Sequence, residues 1–226
     1  MAQWINGKIA SVNIGRKKLE SSLAHHFYNI DTVRHINYHN CIMCFAKIKN
    51  PIGECTFIEG EVYKEYGRPN DDGIFKGLRY SKMYDISENI YDLIPIRYRS
   101  KFYPPLLMRI NSNVPPHTDS GVITSINWYL SPSKCATTFY SFKTNQNVIS
   151  HKIENQTNGS IFDKSCLDII GHFVAEPNDI WLLNVGQPHG VESLLPKLEI
   201  RTAIVWQTNE FSFNDVVDML IETGHL

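Results

Sequence analysis

The sequence predicts a mainly β protein with flanking helices, and two observations carry that expectation. From Pro105 onward, short runs of β-branched and aromatic residues are punctuated by Pro, Gly, Asn and Ser, the pattern of an antiparallel sandwich or barrel. Within two of those runs the residues also alternate between faces. In 124–130 one face carries Ile126, Trp128 and Leu130 and the other Ser125, Asn127 and Tyr129. In 200–207 one face carries Ile200, Ile204 and Trp206 and the other Arg201, Ala203, Val205 and Gln207. A polar strand face ordinarily meets water. Helices packed on the apolar face would reverse this and leave the polar face lining a ligand cavity.

Taken in chain order, residues 1–104 read as a mixed α/β part that supports the core. Within it, 66–73 is dense in turn formers and predicts a surface loop. Asp85-Ile-Ser-Glu88 has capping-box spacing, and Ile86, Ile90, Leu93 and Ile94 follow at helical intervals until Pro95. Strands are expected near 105–111, 123–130, 136–142, 179–185 and 198–207, which makes 105–208 the core. The polar stretch 144–160, rich in Asn, Gln and Thr, is expected to pass over one mouth of the barrel as a lid, mobile until substrate binds. Residues 209–226 are expected to close the chain as a helix. At 226 residues, one domain spanning 1–226 with a single active site is expected.

Composition narrows the class of protein. Hydrophobic residues make up 42% and charged residues 20%, ordinary globular usage that argues against disorder or a fibrous architecture. No apolar run is long enough to cross a bilayer, and Met-Ala-Gln-Trp-Ile-Asn lacks the regions of a signal peptide. A cytoplasmic or otherwise intracellular, non-secreted protein is expected. Its 5 cysteines are odd in number and scattered, which disfavours a disulfide framework. The net charge of −1 gives no global attraction to nucleic acid or membrane. Locally, Arg97, Arg99, Lys101 and Arg109 with Tyr98, Phe102 and Tyr103 offer a basic, aromatic stretch suited to a phosphate backbone. Cys41-Ile-Met-Cys44, with His35 and His39 upstream, offers a zinc alternative, but its apolar setting favours buried strand cysteines.

Of 9 histidines only His117 has an aspartate two residues on, in Pro116-His-Thr-Asp119. Alone the pair is weak. An ordered set sharpens it: a strand before, a second histidine in Gln187-Pro-His189-Gly190, and then Arg201. Two imidazoles and one carboxylate on one face of Fe(II) leave three positions open, which suits a bidentate cosubstrate together with oxygen. His117 and Asp119 point to one side of an extended segment, and His189 is expected from a strand opposite. The planar fork of Arg201 can grip a carboxylate bidentately.

Through Leu106-Leu-Met-Arg-Ile-Asn111, His117-Thr-Asp119, Ile126-Asn-Trp-Tyr-Leu130, Pro188-His-Gly190 and Arg201-Thr-Ala-Ile-Val-Trp206, residues 105–208 resemble the Fe(II)- and 2-oxoglutarate-dependent oxygenases, most of all the prolyl-hydroxylase-like branch. The resemblance implies a double-stranded β-helix (jelly-roll, cupin-like) core, with His117, Asp119 and His189 as iron ligands and Arg201 on the 2-oxoglutarate C5 carboxylate. It also implies cosubstrate contacts from Tyr129, Asn127 and Asn111, with Arg109 near such positions. The reaction implied is hydroxylation of an amino-acid side chain, free or in a peptide or protein, with O2 consumed and succinate and CO2 released. Asp119 argues against halogenation, whose enzymes usually lack the carboxylate. Thr202-Ala203 departs from an Arg-x-Ser pattern, so a second contact to the C5 carboxylate must come from elsewhere. A nucleobase hydroxylase of the same superfamily and a non-catalytic jelly-roll binding module are the alternatives.

Overall fold

The computed structural model describes residues 2–5, 8–11, 44–49, 53, 55–66, 77–131, 134–144, 150–152, 159–195 and 199–226. The chain divides into two compact units, Met1–Asn37 and Tyr38–Leu226. In the first, β1 (Ala2–Ile5) and β2 (Lys8–Ser11) pair antiparallel. The second holds two antiparallel sheets and short helices. Its strands are β3 (Phe45–Ile48), β4 (Ile58–Tyr66), β5 (Leu78–Tyr84), β6 (Leu106–Ile110), β7 (Val114–Thr118), β8 (Thr124–Tyr129), β9 (Cys135–Phe142), β10 (Ser150–Lys152), β11 (Ser160–Phe162), β12 (Leu167–Val174), β13 (Ile180–Asn184), β14 (His189–Ser193) and β15 (Arg201–Thr208). One sheet runs β3-β13-β8-β15-β6-β5-β4 and the other β10-β11-β7-β14-β9-β12.

The alternation in β8 and β15 has the sense that a cavity requires. Ile126, Trp128, Ile204 and Trp206 are buried under helical segments: Tyr91 meets Trp206 edge-on at 5.3 Å and Phe102 lies 4.8 Å from it. The helix α2 (Phe213–Glu222) packs near β13 and buries Phe213, Val216, Val217, Met219 and Leu220. Its start is set by a capping box: Ser212 Oγ accepts from the Asp215 N–H and the Asp215 carboxylate accepts from the Ser212 N–H. The opposite face of this sheet, with Met108, Tyr129, Trp181 and Ala203, shares one core with Val114, Phe139, Phe173 and Val191 of the other sheet. Full burial of a side chain such as Phe139 contributes about 1.5–3 kcal/mol, so this interior is what holds the two sheets together.

Two expectations change. The helix read from Asp85 is instead a 3-10 segment, Glu88–Leu93, followed by a single α-turn, α1 (Ile96–Arg99). Ser87 does not cap it, because its Oγ accepts from the Thr56 N–H at 2.6 Å and donates to the Thr56 carbonyl at 3.0 Å. Asp85 meanwhile takes a φ of 50°. The stretch 144–160 is partly strand: β10 pairs with β11, and β11 pairs with β7, Ile161 opposite His117. Residues 145–149 and 153–158, where the lid expectation mostly falls, lie outside the described residues, as do 67–76 and Cys41 with His35 and His39. Strand β7 contains Pro115 and Pro116, which lack the N–H that a ladder uses. They are tolerated because pairing with β14 is broken there by a register shift between His189 and Val191.

Candidate metal centre

His117 lies near the end of β7, Asp119 just beyond it, and His189 begins β14. The two histidines are register partners on adjacent strands of one sheet, with ring centroids 4.4 Å apart. His189 thus comes from the strand that pairs with β7, and cross-strand pairing sets its side chain beside that of His117. Asp119 Oδ1 is 3.3 Å from His117 Nε2 and 3.8 Å from His189 Nε2. One ligand atom from each residue falls within 4.8 Å of the others, and among the described residues this is the one such group of three or more.

The ring orientations suit ligation. His117 Nδ1 is 2.8 Å from the Pro115 carbonyl and His189 Nδ1 is 3.0 Å from the Gln187 carbonyl. A carbonyl only accepts, so each Nδ1 carries a proton, and each Nε2 faces Asp119. Asp119 is anchored through its N–H to the Val185 carbonyl at 3.1 Å. Burial pushes the Asp119 carboxyl up, but the His117 hydrogen bond and the charges of His189, His117 and Lys64 outweigh it and hold the group below its ordinary value. Burial, reinforced by the charge of His117, lowers His189 to about 4. His189 is thus neutral, as a ligand must be, at ordinary pH.

A pH dependence follows with a definite sign. In the unfolded chain His189 titrates near 6.5, and in the folded metal-free protein near 4, so the unfolded state binds the extra proton between those values. The stability this confers is present above 6.5 and is lost as pH falls toward 4. Thermal melts of metal-free protein should show that decline, and His189→Gln should flatten it.

Two neighbours hold His189 in place. The ring of Phe139, its partner on β9, stacks on it at 5.6 Å and 26°. At Gly190 a Cβ would stand 2.8 Å from the Val114 carbonyl oxygen and 3.3 Å from the Pro115–Pro116 peptide, so glycine is what lets β14 close on β7. Gly190→Ala should push the strands apart and lower metal affinity by about 10-fold or more, as loss of ligand support does elsewhere, which a metal titration would measure.

Arg201 begins β15 opposite Ile110 and is 1% exposed. Its Nε, Nη1 and Nη2 are buried and find no hydrogen-bond partner among the described residues. Its contact is with the ring of Tyr129, 4.3 Å from the guanidinium carbon. Along the same face of β8, Ser125 Oγ donates to Asn127 Oδ1 at 2.6 Å and Asn127 Nδ2 donates to the Tyr129 hydroxyl at 3.4 Å. Tyr129 therefore offers Arg201 its ring while its hydroxyl is held by Asn127, an order that the sequence did not reveal.

Other expected residues lie elsewhere. Asn111 is exposed past the end of β6, its N–H donating to the Gly77 carbonyl at 2.9 Å and its side chain covering Gly77, whose φ is +69°. Arg109 pairs with Glu59, Arg99 with Asp92 at 3.1 Å, and Arg97 with Glu222 while lying over Tyr98. Arg97, Arg99 and Arg109 of the basic stretch are thus each engaged in an ion pair. Cys44 is buried, and burial pushes its thiol up to about 11, away from a metal-binding thiolate. Lys64 on β4, whose charge acts on Asp119, went unnoticed in the sequence. No local motif marks it.

Fold and site together define a β protein of two antiparallel sheets carrying a His-Asp-His cluster that can hold a metal ion. No family model and no curated protein matches the sequence. A solved structure described as the X-ray structure of E. coli ycfD is similar at 11% identity and a TM-score of 0.41, covering 69% of this chain and 40% of that one. The chain spans less than half the length of that protein. Among the described residues, no helix is long and apolar enough to cross a membrane.

Proposed function

We propose that the protein is an Fe(II)- and 2-oxoglutarate-dependent dioxygenase. His117, Asp119 and His189 would hold the metal, and Arg201 the far carboxylate of the cosubstrate. The observation that carries this reading is the buried guanidinium of Arg201, which has no acceptor among the described residues and faces the interior shared with the histidine-bearing sheet. Burying an unpaired charge is costly, so a group of this kind calls for an anionic ligand. The donor set fits Fe(II), since two imidazoles and one carboxylate leave coordination positions open whereas a structural zinc site closes all four.

Strand order supports a jelly-roll core. If β6, β7, β8, β9, β12, β13, β14 and β15 are numbered one to eight, the sheets contain 6-3-8-1 and 2-7-4-5, the interleaved order of a double-stranded β-helix. On that numbering the metal residues belong to strands two and seven and Arg201 to strand eight.

When bound, the metal and 2-oxoglutarate supply oxygen activation coupled to decarboxylation, with succinate and CO2 as products and a substrate C–H bond hydroxylated. The chain's own part is to orient. The Pro115 and Gln187 carbonyls fix the imidazole tautomers, the Val185 carbonyl anchors Asp119, and the Tyr129 ring supports Arg201. The substrate class is an amino-acid side chain, free or peptidyl. Fe(II)-loaded protein offered a panel of amino acids and peptides should release succinate from 2-oxoglutarate in an oxygen-dependent, substrate-stimulated way. A protein that binds metal and releases none would be the binding module instead.

A further inference from the structure

Arg201 is not the only buried polar group left unsatisfied on the interior faces. Thr137 is 2% exposed, and its Oγ1 has no hydrogen-bond partner among the described residues. It shares the inner face of β9 with Cys135 and Phe139, both part of the common core. Two independent paths put it at the level of Arg201. On one, Thr137 pairs with Val191 and Val191 with Val114, while Arg201 pairs with Ile110, and only residues 111–113 separate β6 from β7. On the other, Thr137 pairs with Phe173, the Phe173 ring lies 6.2 Å from that of Tyr129, and Tyr129 lies against Arg201.

The level also suits the ligand. Phe139, whose ring stacks on His189, is two residues from Thr137 along β9, a rise of about 7 Å that matches the reach from the keto-acid end to the far carboxylate of a five-carbon diacid. Position 203, where a hydroxyl would stand beside Arg201 on β15, is alanine, and Thr202 pairs with Arg109 on the opposite face.

We propose that Thr137 is the second side-chain donor to the carboxylate that Arg201 binds, so that the two sheets clasp it from both sides. This rests on the 2-oxoglutarate reading and deepens it. A guanidinium supplies only donors, and the threonine hydroxyl adds one from the facing sheet; a carboxylate, with four acceptor sites on two oxygens, satisfies both groups at once.

The test is calorimetric titration of 2-oxoglutarate into Mn(II)-loaded full-length wild type, Thr137→Val, Thr137→Ser and Arg201→Ala, with 2-oxobutyrate, which lacks the far carboxylate, as a second probe. Thr137→Val should weaken 2-oxoglutarate about 10-fold, as loss of a hydrogen bond to a charged group does, and Thr137→Ser should restore it. Mn(II) and 2-oxobutyrate affinities should not move. The ligand-free valine variant should melt no lower than wild type, since it removes an unsatisfied hydroxyl; Thr137→Ala gives the same readout should valine crowd the site. Unchanged 2-oxoglutarate affinity in Thr137→Val beside a loss in Arg201→Ala would overturn the role of Thr137 and leave the cosubstrate reading intact. Equal weakening of both probes would mark Thr137 as structural and overturn it too. No loss in Arg201→Ala would overturn both.

Discussion

Arg201→Met is expected to raise the melting temperature of the metal-free, ligand-free protein while removing 2-oxoglutarate binding. Few substitutions of a buried residue act in opposite directions on stability and binding, and the reason lies in the unpaired guanidinium. In the absence of a ligand, its three nitrogens are buried without an acceptor among the described residues, and only the Tyr129 ring compensates them. Methionine fills much of the same volume without a charge to desolvate, a gain on the order of 1–3 kcal/mol, or several degrees for a chain of this size. Binding should move the other way. Truncating one partner of a buried charge pair costs about 2–5 kcal/mol, roughly 30-fold to several thousand-fold in affinity. Arg201→Lys should recover part of the loss, since an ammonium keeps the charge and loses the fork. Scanning calorimetry and ligand titration read the two effects separately. A lower melting temperature together with unchanged 2-oxoglutarate affinity would place Arg201 in the framework of the fold instead of in a ligand site.

The second large effect is expected at Asp119. It is the one anionic ligand of the three, and its Oδ1 faces both Nε2 atoms. Asp119→Ala would leave two neutral imidazoles around a doubly charged ion. Loss of supporting groups alone costs 10–100-fold in metal affinity, so loss of the carboxylate ligand should cost about 100-fold or more and abolish succinate formation. His117→Ala and His189→Ala should abolish turnover as well. His117→Ala also differs from Asp119→Ala in stability, because the His117 hydrogen bond helps to hold Asp119 ionised and its removal strands that charge. Near wild-type succinate formation in Asp119→Ala would show that the ligand set is wrong.

The parts of the molecule legible in the sequence were those written in short-range pattern. The five expected strands appear as β6, β8, β9, β13 and β15, because β-branched and aromatic runs bounded by turn residues leave little choice of conformation. The alternation in β8 and β15 left open which face was interior, and the packing of Tyr91 and Phe102 on Trp206 decides it. The C-terminal helix was plain. What could not be read depends on partners remote in sequence. Asp85 takes a φ of 50° in place of a cap, and Ser87 turns to Thr56. Two prolines sit inside β7 because the β14 register slips beside them. His189 meets His117 across adjacent strands, and Asn111 turns to Gly77. Thr137 carried no local signal at all, since an isolated threonine in a strand is ordinary until its hydroxyl is found buried without a partner.

One small diacid is expected to be held at two points, by a metal on His117, Asp119 and His189 and by Arg201. Anaerobic calorimetric titration of 2-oxoglutarate into the protein with and without Fe(II) tests this most directly. One-to-one binding to the Fe(II)-loaded protein is expected, with binding weakened at least about 30-fold when either the metal is withheld or Arg201 is replaced by alanine, since each removal takes away one of the two holds. Binding of equal strength with and without metal, or no binding to the Fe(II)-loaded protein, would contradict it.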